Sequence, residues 1–216
     1  MTSSATPERT EAGTATDPKY YDAVDEVDDD VRQTTRLFTY RCPLGLVVGN
    51  RTSVSFSIDR PASEVWPYAK DWNTWQNQSS HYYSGVLGDL EGETFSLSMQ
   101  PNDAERPHFY HVLKVMPEHL IVINQPPNPG DGPEPTGLPG YSGVSPGFHV
   151  FMVNEHGGKS EIHVVMEHSA VAARPSDPEL SNEEALAPWR ELLPEWTRKW
   201  RDEFIPNLKK LVYEGE

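Results

Sequence analysis

Two histidines occupy positions from which a side chain can do acid–base chemistry. On the stretch 109–115 the more apolar set of alternate residues includes His111, which is therefore predicted to point inward; its other members are Phe109, Leu113 and Val115. The alternation over residues 162–166 predicts the same for His168. Desolvation holds a histidine neutral in an apolar cavity, so it can act as a base or as a hydrogen-bond donor to a ligand carbonyl.

Each histidine has a purely structural alternative, which is a core or rim residue whose hydrogen bonds are satisfied within the protein. A register shift of one residue would exchange His111 for His108 and Tyr110. Tyr110 is itself a candidate, because its hydroxyl can stabilise an enolate or a phenol, and Tyr82 and Tyr83 offer the same group. The chemistry indicated is acid–base catalysis or hydrogen bonding to a ligand.

The eight histidines do not have the spacing of a metal site. On predicted strands, the pair His108 and His111 and the pair His163 and His168 each point to opposite faces. The sequence has no cysteine pair, no helical His-Glu-x-x-His, no phosphate-binding loop and no dinucleotide-binding glycine pattern. We therefore expect neither a metal nor another cofactor.

The stretch 54–75 organises the elements that must position these groups. Its first half alternates apolar and small polar residues, which predicts a strand whose apolar face is Val54, Phe56 and Ile58. Asp59 can accept backbone N–H groups at a helix start and Pro61 fits a first helical turn, so a short helix is predicted next. The aromatic residues after Asp71 predict a second short helix.

This order of features resembles the opening of the START-related helix-grip superfamily (SRPBCC), which includes polyketide cyclases, lipid-transfer domains and birch-pollen-allergen-like proteins. The resemblance lies in the strand, Pro61-Ala62, a polar residue, Val65-Trp66, and Asp71 followed by Trp72. It implies an α+β helix-grip fold with two short helices after the first strand. A curved antiparallel sheet of about six or seven strands would wrap around a long C-terminal helix. It also implies an apolar cavity between sheet and helix, in which members carry hydrophobic ligands or cyclise and dehydrate polyketide-like intermediates.

Apolar residues on the predicted inward faces are candidates to line that cavity. Residues 94–100 show clear period-two alternation, and the C-terminal stretch carries an apolar stripe at helical spacing. The predicted ligand-binding residues are Trp66, Trp75, Tyr83, Phe95, Leu97, Met99, Leu113, Tyr141, Val164, Met166, Trp196, Trp200 and Phe204. Ordinary core packing is the alternative for the tryptophans.

The remaining elements are predicted from turn and helix signals. Further strands are predicted at 82–87, 108–116, 119–125, 148–154 and 161–170. Ser181 and Glu184 form a capping-box pattern, so a helix should begin just after the serine. We expect Pro188 and Pro194 to interrupt this helix, which starts again at Pro194, and Pro206 to kink it.

The stretch 126–147 contains seven prolines and six glycines and is too long for an ordinary hairpin connection. In a helix-grip fold this loop would lie near the mouth of the cavity, either as a lid or as a mobile insertion. Tyr141 is its one aromatic residue that can reach inward.

Residues 1–36 are polar and acidic, and we expect a disordered tail because they cannot bury enough apolar surface to offset the entropy of ordering. The alternative is an acidic tail that binds a protein partner. Residues 37–50 are more apolar and are predicted to form an arm or an extra edge strand, on this domain or on the second subunit of a homodimer. The helix-grip domain then covers residues 51–216.

Charge and composition limit the classes of function. The formal charge of −15 opposes binding to nucleic acid or to anionic membrane surfaces. No apolar run is long enough to predict a membrane span. The single cysteine, Cys42, and an N-terminus without an apolar run predict a cytoplasmic protein.

Three functional hypotheses follow. The leading one is binding of a hydrophobic small molecule, lipid-like or polycyclic, between the sheet and the C-terminal helix. The second is a cofactor-independent polyketide cyclase or dehydratase that uses His111 or His168 as base and a tyrosine or tryptophan as oxyanion donor. The third is a protein-interaction module that acts through the acidic tail or the apolar segment after it.

Overall fold

The computed structural model describes residues 15–27, 30–76, 81–82, 86–97, 108–125 and 147–215. Within these ranges nine strands form one sheet. The strands are β1 (Lys19–Val27), β2 (Val31–Cys42), β3 (Gly45–Ile58), β4 (His81–Tyr82), β5 (Thr94–Leu97), β6 (His108–Met116), β7 (Leu120–Gln125), β8 (Gly147–His156) and β9 (Lys159–Ala173). The helices are α1 (Ala62–Ala69), α2 (Trp72–Gln76), α3 (Asn182–Lys199) and α4 (Ile205–Glu214).

The sheet is antiparallel throughout, in the order β1-β2-β3-β9-β8-β7-β6-β5-β4. After β3 the chain forms α1 and α2, crosses to the far edge at β4, and returns strand by strand until β9 pairs with β3. All four helices contribute to cores on one face of the sheet, which we call the inner face. The opposite side is the outer face.

The β3–α1–α2 unit confirms the elements predicted from the stretch 54–75, with one correction. Val54, Phe56 and Ile58 are buried on the inner face, as their alternation predicts. The first backbone N–H of α1, from Ala62, donates to Glu155 Oε2 at the end of β8 over 2.9 Å. Asp59, the predicted cap, instead pairs with Lys159 at 3.2 Å. The carboxylate at the helix start is therefore that of Glu155, which is distant along the chain, and not that of the adjacent Asp59.

The C-terminal helix begins as predicted, because the Ser181 hydroxyl accepts the Glu184 N–H and the Glu184 carboxylate accepts the Ser181 N–H. The predicted interruption at Pro188 and Pro194 is wrong, since α3 runs through both. Burial of the apolar side of α3 outweighs the lost backbone bonds.

A π-helical turn at Trp200–Phe204 joins α3 to α4, with Pro206 in the first turn of α4. The kink predicted at Pro206 thus takes the form of a widened turn just before the proline. A proline has no N–H to donate to the preceding turn, and the wider spacing accommodates this loss.

Part of the stretch predicted to be disordered is ordered sheet. β1 is an edge strand that pairs with β2 from Lys19 to Val27, and β2 begins at Val31. The disorder prediction is therefore wrong for these residues. An edge strand needs little burial, because its backbone is paired along one side while its charged side chains stay in water.

Residues 37–50 form neither an arm nor an edge strand but the tip of the β2–β3 hairpin, inside the sheet. The turn requires glycine at position 45, where φ is 125° and a Cβ atom would lie 2.0 Å from the Ala173 carbonyl oxygen. At the opposite edge a strand was predicted at 82–87. Its first residue, Tyr82, lies in β4, its last residue, Leu87, begins the 3₁₀ turn Leu87–Asp89, and residues 83–85 lie outside the described ranges. The sheet has more strands than predicted because β1 and β2 extend it.

Two apolar clusters lie beneath the helices. The larger core joins the middle strands to α1, α2, the π-helical turn and α4. The smaller core lies under α3 and consists of Leu37, Leu46, Val48, Ala170, Ala185, Leu186, Trp189 and Leu193. No helix in the described ranges combines the length and the hydropathy that a bilayer crossing requires.

Candidate functional site

Six polar side chains cross the inner face between the two apolar cores, on four adjacent strands. This polar band consists of Gln33 and Thr35 on β2, Asn50 and Thr52 on β3, His168 on β9 and His149 on β8. Strand register makes the band continuous, because Thr35 pairs with Thr52 and Asn50 pairs with His168. All but His168 are at least 95% buried. Burying a polar group costs free energy unless the group forms a hydrogen bond. A band of buried polar side chains therefore indicates a place where hydrogen bonds form, within the protein or to a ligand.

His149 is the most unusual member of the band. Its side chain is 5% exposed, and neither ring nitrogen has a hydrogen-bond partner among the residues that the structure describes. The rings of His168, Tyr110 and Trp72 lie 4.9, 5.9 and 6.1 Å from it, centroid to centroid. Burial, together with the neighbouring His168, holds the pKa of His149 well below its usual value. It is therefore a neutral imidazole with one donor and one acceptor to offer.

Tyr110 stands beside His149 on β6. Its ring stacks on Phe95 at 5.3 Å, and burial raises the pKa of its hydroxyl above the usual value. The phenol therefore stays protonated at neutral pH. Tyr110 was predicted as a site residue, and the structure places it against His149 on the inner face.

His168 points to the inner face, as its alternation with Val164 and Met166 predicts. Both of those residues are buried in the larger core, and the His168 ring meets His149 edge to face. His168 is less buried than His149, so its side chain is more accessible to water. The structure thus brings together two predicted site residues, His168 and Tyr110, around a third group that the sequence did not single out.

The inward placement predicted for His111 and Leu113 is wrong. The β6–β7 register shifts between Val112 and Lys114, so the buried positions change from Tyr110 and Val112 to Val115. His111 lies on the other side, where its Nδ1 is 2.6 Å from the Thr94 hydroxyl, and Leu113 is 52% exposed. A β-bulge adds one residue to a strand and reverses the facing of all that follow, which an alternation pattern cannot anticipate.

Several predicted ligand-lining residues pack on one another. We call Trp72, Trp75, Phe151, Trp200 and Phe204 the aromatic cluster. Trp75 is at its centre, with its indole N–H donating to the Ala69 carbonyl at 3.2 Å. The π-helical turn directs Trp200 and Phe204 onto Trp75 at 5.9 and 6.2 Å. Trp75, Trp200 and Phe204 thus pack together in the core. Core packing was the alternative given above for the tryptophans.

The other predicted lining residues divide into two groups. Trp66, Phe95, Val164 and Met166 are buried in the larger core. Tyr83, Met99 and Tyr141 lie outside the described residues, as do the side chains of Leu97 and Trp196.

A depression of about 150 Å³ lies on the outer face and is not the predicted apolar cavity. It is open and mainly polar, and its lining consists of Arg32, Thr34, Ser53, Val54, Ser55 and His163. In the described part of the chain, no group of three histidine, cysteine or acidic side chains is close enough to hold a metal ion.

Sequence reasoning missed His149, Gln33 and Asn50. The alternation on β8 gives no preference, because both of its faces are apolar: Phe148, Val150 and Met152 against His149, Phe151 and Val153. Gln33 lay in the stretch predicted to be disordered. The signal that could have found Gln33 and Thr35 was the alternation that continues from Val31 to Leu37.

Comparison with known proteins finds distant structural similarity only. No protein-family model matches the sequence, and no curated protein matches it. The X-ray structure of norcoclaurine synthase from Thalictrum flavum in complex with dopamine and hydroxybenzaldehyde is 14% identical, covers 79% of this chain and 90% of that one, and has a TM-score of 0.48.

Two other structures are similar at the same level. CalU16 from Micromonospora echinospora is 16% identical over 83% of this chain and 93% of that one, with a TM-score of 0.37. The Aha1 dimer from Colwellia psychrerythraea is 12% identical over 76% of this chain and 96% of that one, with a TM-score of 0.44.

The architecture itself is clear from the elements described above. One antiparallel sheet carries two short helices after β3 and a long C-terminal helix across its inner face. The chain therefore has the helix-grip fold that its resemblance to the START-related superfamily predicts.

Proposed function

We propose that this protein binds a hydrophobic aromatic small molecule between the inner face of the sheet and the C-terminal helix. The observation that carries the proposal is His149, whose two ring nitrogens are buried among aromatic rings without a partner in the described part of the chain. Tyr110 and His168 stand against it. Trp72 adds an indole N–H that is buried and likewise without a described partner.

The energetic argument is that unpartnered buried polar groups are costly. Each one costs about 1–3 kcal/mol, whereas a ligand that bonds to it removes that cost. A ligand of this site needs flat apolar surface to contact Trp72, Tyr110 and Phe95, and hydroxyl or carbonyl groups to reach His149. These requirements favour a polycyclic aromatic compound over a simple fatty chain.

The test is recovery of such a compound from the protein itself. Protein purified without organic solvent is analysed by native mass spectrometry and by denaturing extraction. We expect a co-purified aromatic compound in the wild type and a reduced amount in His149→Phe. His111→Phe is the matched control, because His111 lies on the other side of its strand. Equal amounts in all three proteins, or none in any, would contradict the proposal.

The second candidate function is a cofactor-independent cyclase or dehydratase. Its support is the neighbouring pair of a neutral imidazole and a protonated phenol, His149 and Tyr110. In this reaction a neutral imidazole takes a proton from the carbon beside a ketone, and the tyrosine hydroxyl donates a hydrogen bond to the enolate oxygen that forms. His168, which was predicted as base, is close enough to His149 to take part.

Turnover of a polyketide-like ketone separates the two functions. If the protein is an enzyme, His149→Phe and Tyr110→Phe each lower kcat while the Kd for the substrate changes less. His168→Ala shifts the pH profile if His168 exchanges the proton with His149. Binding without turnover in the wild type would leave the carrier function and exclude the enzyme for that substrate.

A further inference from the structure

We propose that Gln33 forms a second polar subsite, which binds a neutral ligand group with a hydrogen-bond donor and acceptor side by side, such as a lactam, an amide or a hydroxy-ketone. This inference rests on the proposed function, since it assumes that a small molecule occupies the inner face. The resemblance begins at residue 54 and does not include β2, so nothing in it implies a subsite on this strand.

Gln33 is 2% exposed, and both its amide oxygen and its amide nitrogen lack a hydrogen-bond partner among the described residues. On the inner face of β2 and β3, the next polar residues along the strands are Thr35 and Thr52, whose hydroxyls bond to each other at 3.1 Å. The register of β2 against β3 sets Gln33 opposite Val54, an apolar residue of the larger core. The Gln33 amide is thus buried and forms no hydrogen bond with the described residues around it.

The C-terminal helix closes this region. α3 packs on β2, and Lys209 of α4 lies 3.9 Å from Asp30, immediately before β2. Gln33 therefore lies beneath the helix on the same face as His149. β2 and β8 are separated by two intervening strands, which is roughly 14 Å at the usual strand spacing. The strand registers place His149 level with Thr35, two residues along from Gln33, so Gln33 and His149 are roughly 16 Å apart. A polycyclic compound that crosses the strands can reach both.

The chemical class follows from charge and donor count. The NH2 group and the carbonyl oxygen of a glutamine side chain lie side by side in one plane. They can pair with the acceptor and the donor of a cis-amide or a hydroxy-ketone. None of the lysine, arginine, aspartate or glutamate side chains that the structure describes is fully buried. A carboxylate bound here would lose its hydration without gaining a cation, so the ligand group is neutral.

The experiment compares three bicyclic probes of similar size by equilibrium dialysis: 2-quinolinone, which carries a cis-amide, naphthalene, which carries no polar group, and 1-naphthoate, which is an anion. Wild type should bind 2-quinolinone about tenfold more tightly than naphthalene, as expected for two added hydrogen bonds. Gln33→Met, which keeps the length of the side chain, should lose this preference and keep its affinity for naphthalene. His111→Phe, on the other side of its strand, is the control variant and should retain the preference.

Each outcome bears on the subsite or on the proposed function. If none of the three probes binds, the proposed function fails and the subsite with it. If naphthalene and 2-quinolinone bind equally to wild type, or if Gln33→Met keeps the preference, the Gln33 subsite is rejected while binding on the inner face stands. If 1-naphthoate binds most tightly of the three probes, the proposal that the ligand group at this subsite is neutral is wrong.

A stability measurement tests the premise independently of any probe. Because Gln33 has no described partner, Gln33→Met should unfold at the same Tm as wild type or at a higher one. A lower Tm would mean that the amide has a structural partner, and that result overturns the subsite.

Discussion

The aromatic cluster and the polar band lie side by side on the inner face, and the contrast between Trp75 and His149 shows what each contributes. Both side chains are almost fully buried, at 1% and 5% exposure. Trp75 contacts four other aromatic rings and satisfies its one polar atom on the Ala69 carbonyl. His149 also lies among rings, but both of its polar atoms lack a partner among the described residues.

This difference separates stability from recognition. Apolar rings gain by packing against any well-shaped neighbour, so the rings of the aromatic cluster stabilise one another within the protein. The one exception among its polar atoms is the Trp72 N–H, which lacks a described partner. Imidazole and amide groups gain only from specific partners, and in the polar band several of these are missing from the described residues. We infer that the cluster holds the helix on the sheet and that the band is kept for a ligand at some cost in stability.

The largest effect is expected from removing the centre of the aromatic cluster. Trp75→Ala should lower the free energy of unfolding by about 3–5 kcal/mol, because it deletes a buried ring and leaves a cavity. Urea denaturation measures this change. Leu113→Ala, at an exposed position on β6, is the control and should change stability little. A loss at Trp75 no larger than at Leu113 would show that the cluster does not support the fold.

A pH series tests the polar band at His149. The folded-state pKa of this residue lies below its ordinary value of 6.5, so the unfolded chain binds the proton first as the pH falls. The free energy of unfolding should therefore decrease below about pH 6.5, by at most about 1.4 kcal/mol per pH unit from this group. His149→Phe should remove this part of the decrease. Identical pH profiles for the two proteins would contradict a buried neutral imidazole.

A double-mutant cycle on Thr35 and Thr52 sharpens the contrast between partnered and unpartnered members of the band. Each single change to valine strands one hydroxyl and should cost about 1 kcal/mol, whereas the double change should cost much less than the sum. Thermal denaturation of the four proteins gives the coupling. Additive effects would indicate that the two hydroxyls have other partners than each other.

The smallest effect is expected on the outer face, where Arg51 pairs with Glu167 over 2.8 Å from its Nε. Both side chains are partly exposed, so Arg51→Gln should cost less than about 1 kcal/mol, and added salt should reduce even that difference. The measurement is urea denaturation at low and high ionic strength. A loss as large as that of Trp75→Ala would remove the distinction between the two faces.

Much of the fold could be predicted from local sequence, and the failures have physical causes. The strand at Val54, the short helices after it and the capping box at Ser181 are set by neighbouring residues, and all are present. Tertiary packing overrode local rules at Pro188 and Pro194, where the helix continues. β1 was missed because an edge strand draws its stability from backbone pairing rather than from burial. The start of β2 was missed because two of its buried residues, Gln33 and Thr35, are polar.

The candidate site was less predictable. Tyr110 and His168 are in the candidate site and were candidates from the sequence. His111 faces the other side, because the alternation that includes Val115 changes phase at the bulge after Val112. His149 gave no signal, because both faces of its strand are apolar.

By itself the sequence determined the type of most elements from β3 onward and which side chains β3, β5 and β9 bury, since both depend on residues a few positions apart. Only the tertiary structure decided which polar groups share the polar band: Gln33 and Asn50 lie on one hairpin, and His149 and His168 lie on another that is distant along the chain. The placement of these residues in one band depends on strand order and register, which are fixed by packing over the whole sheet rather than by any short stretch of residues.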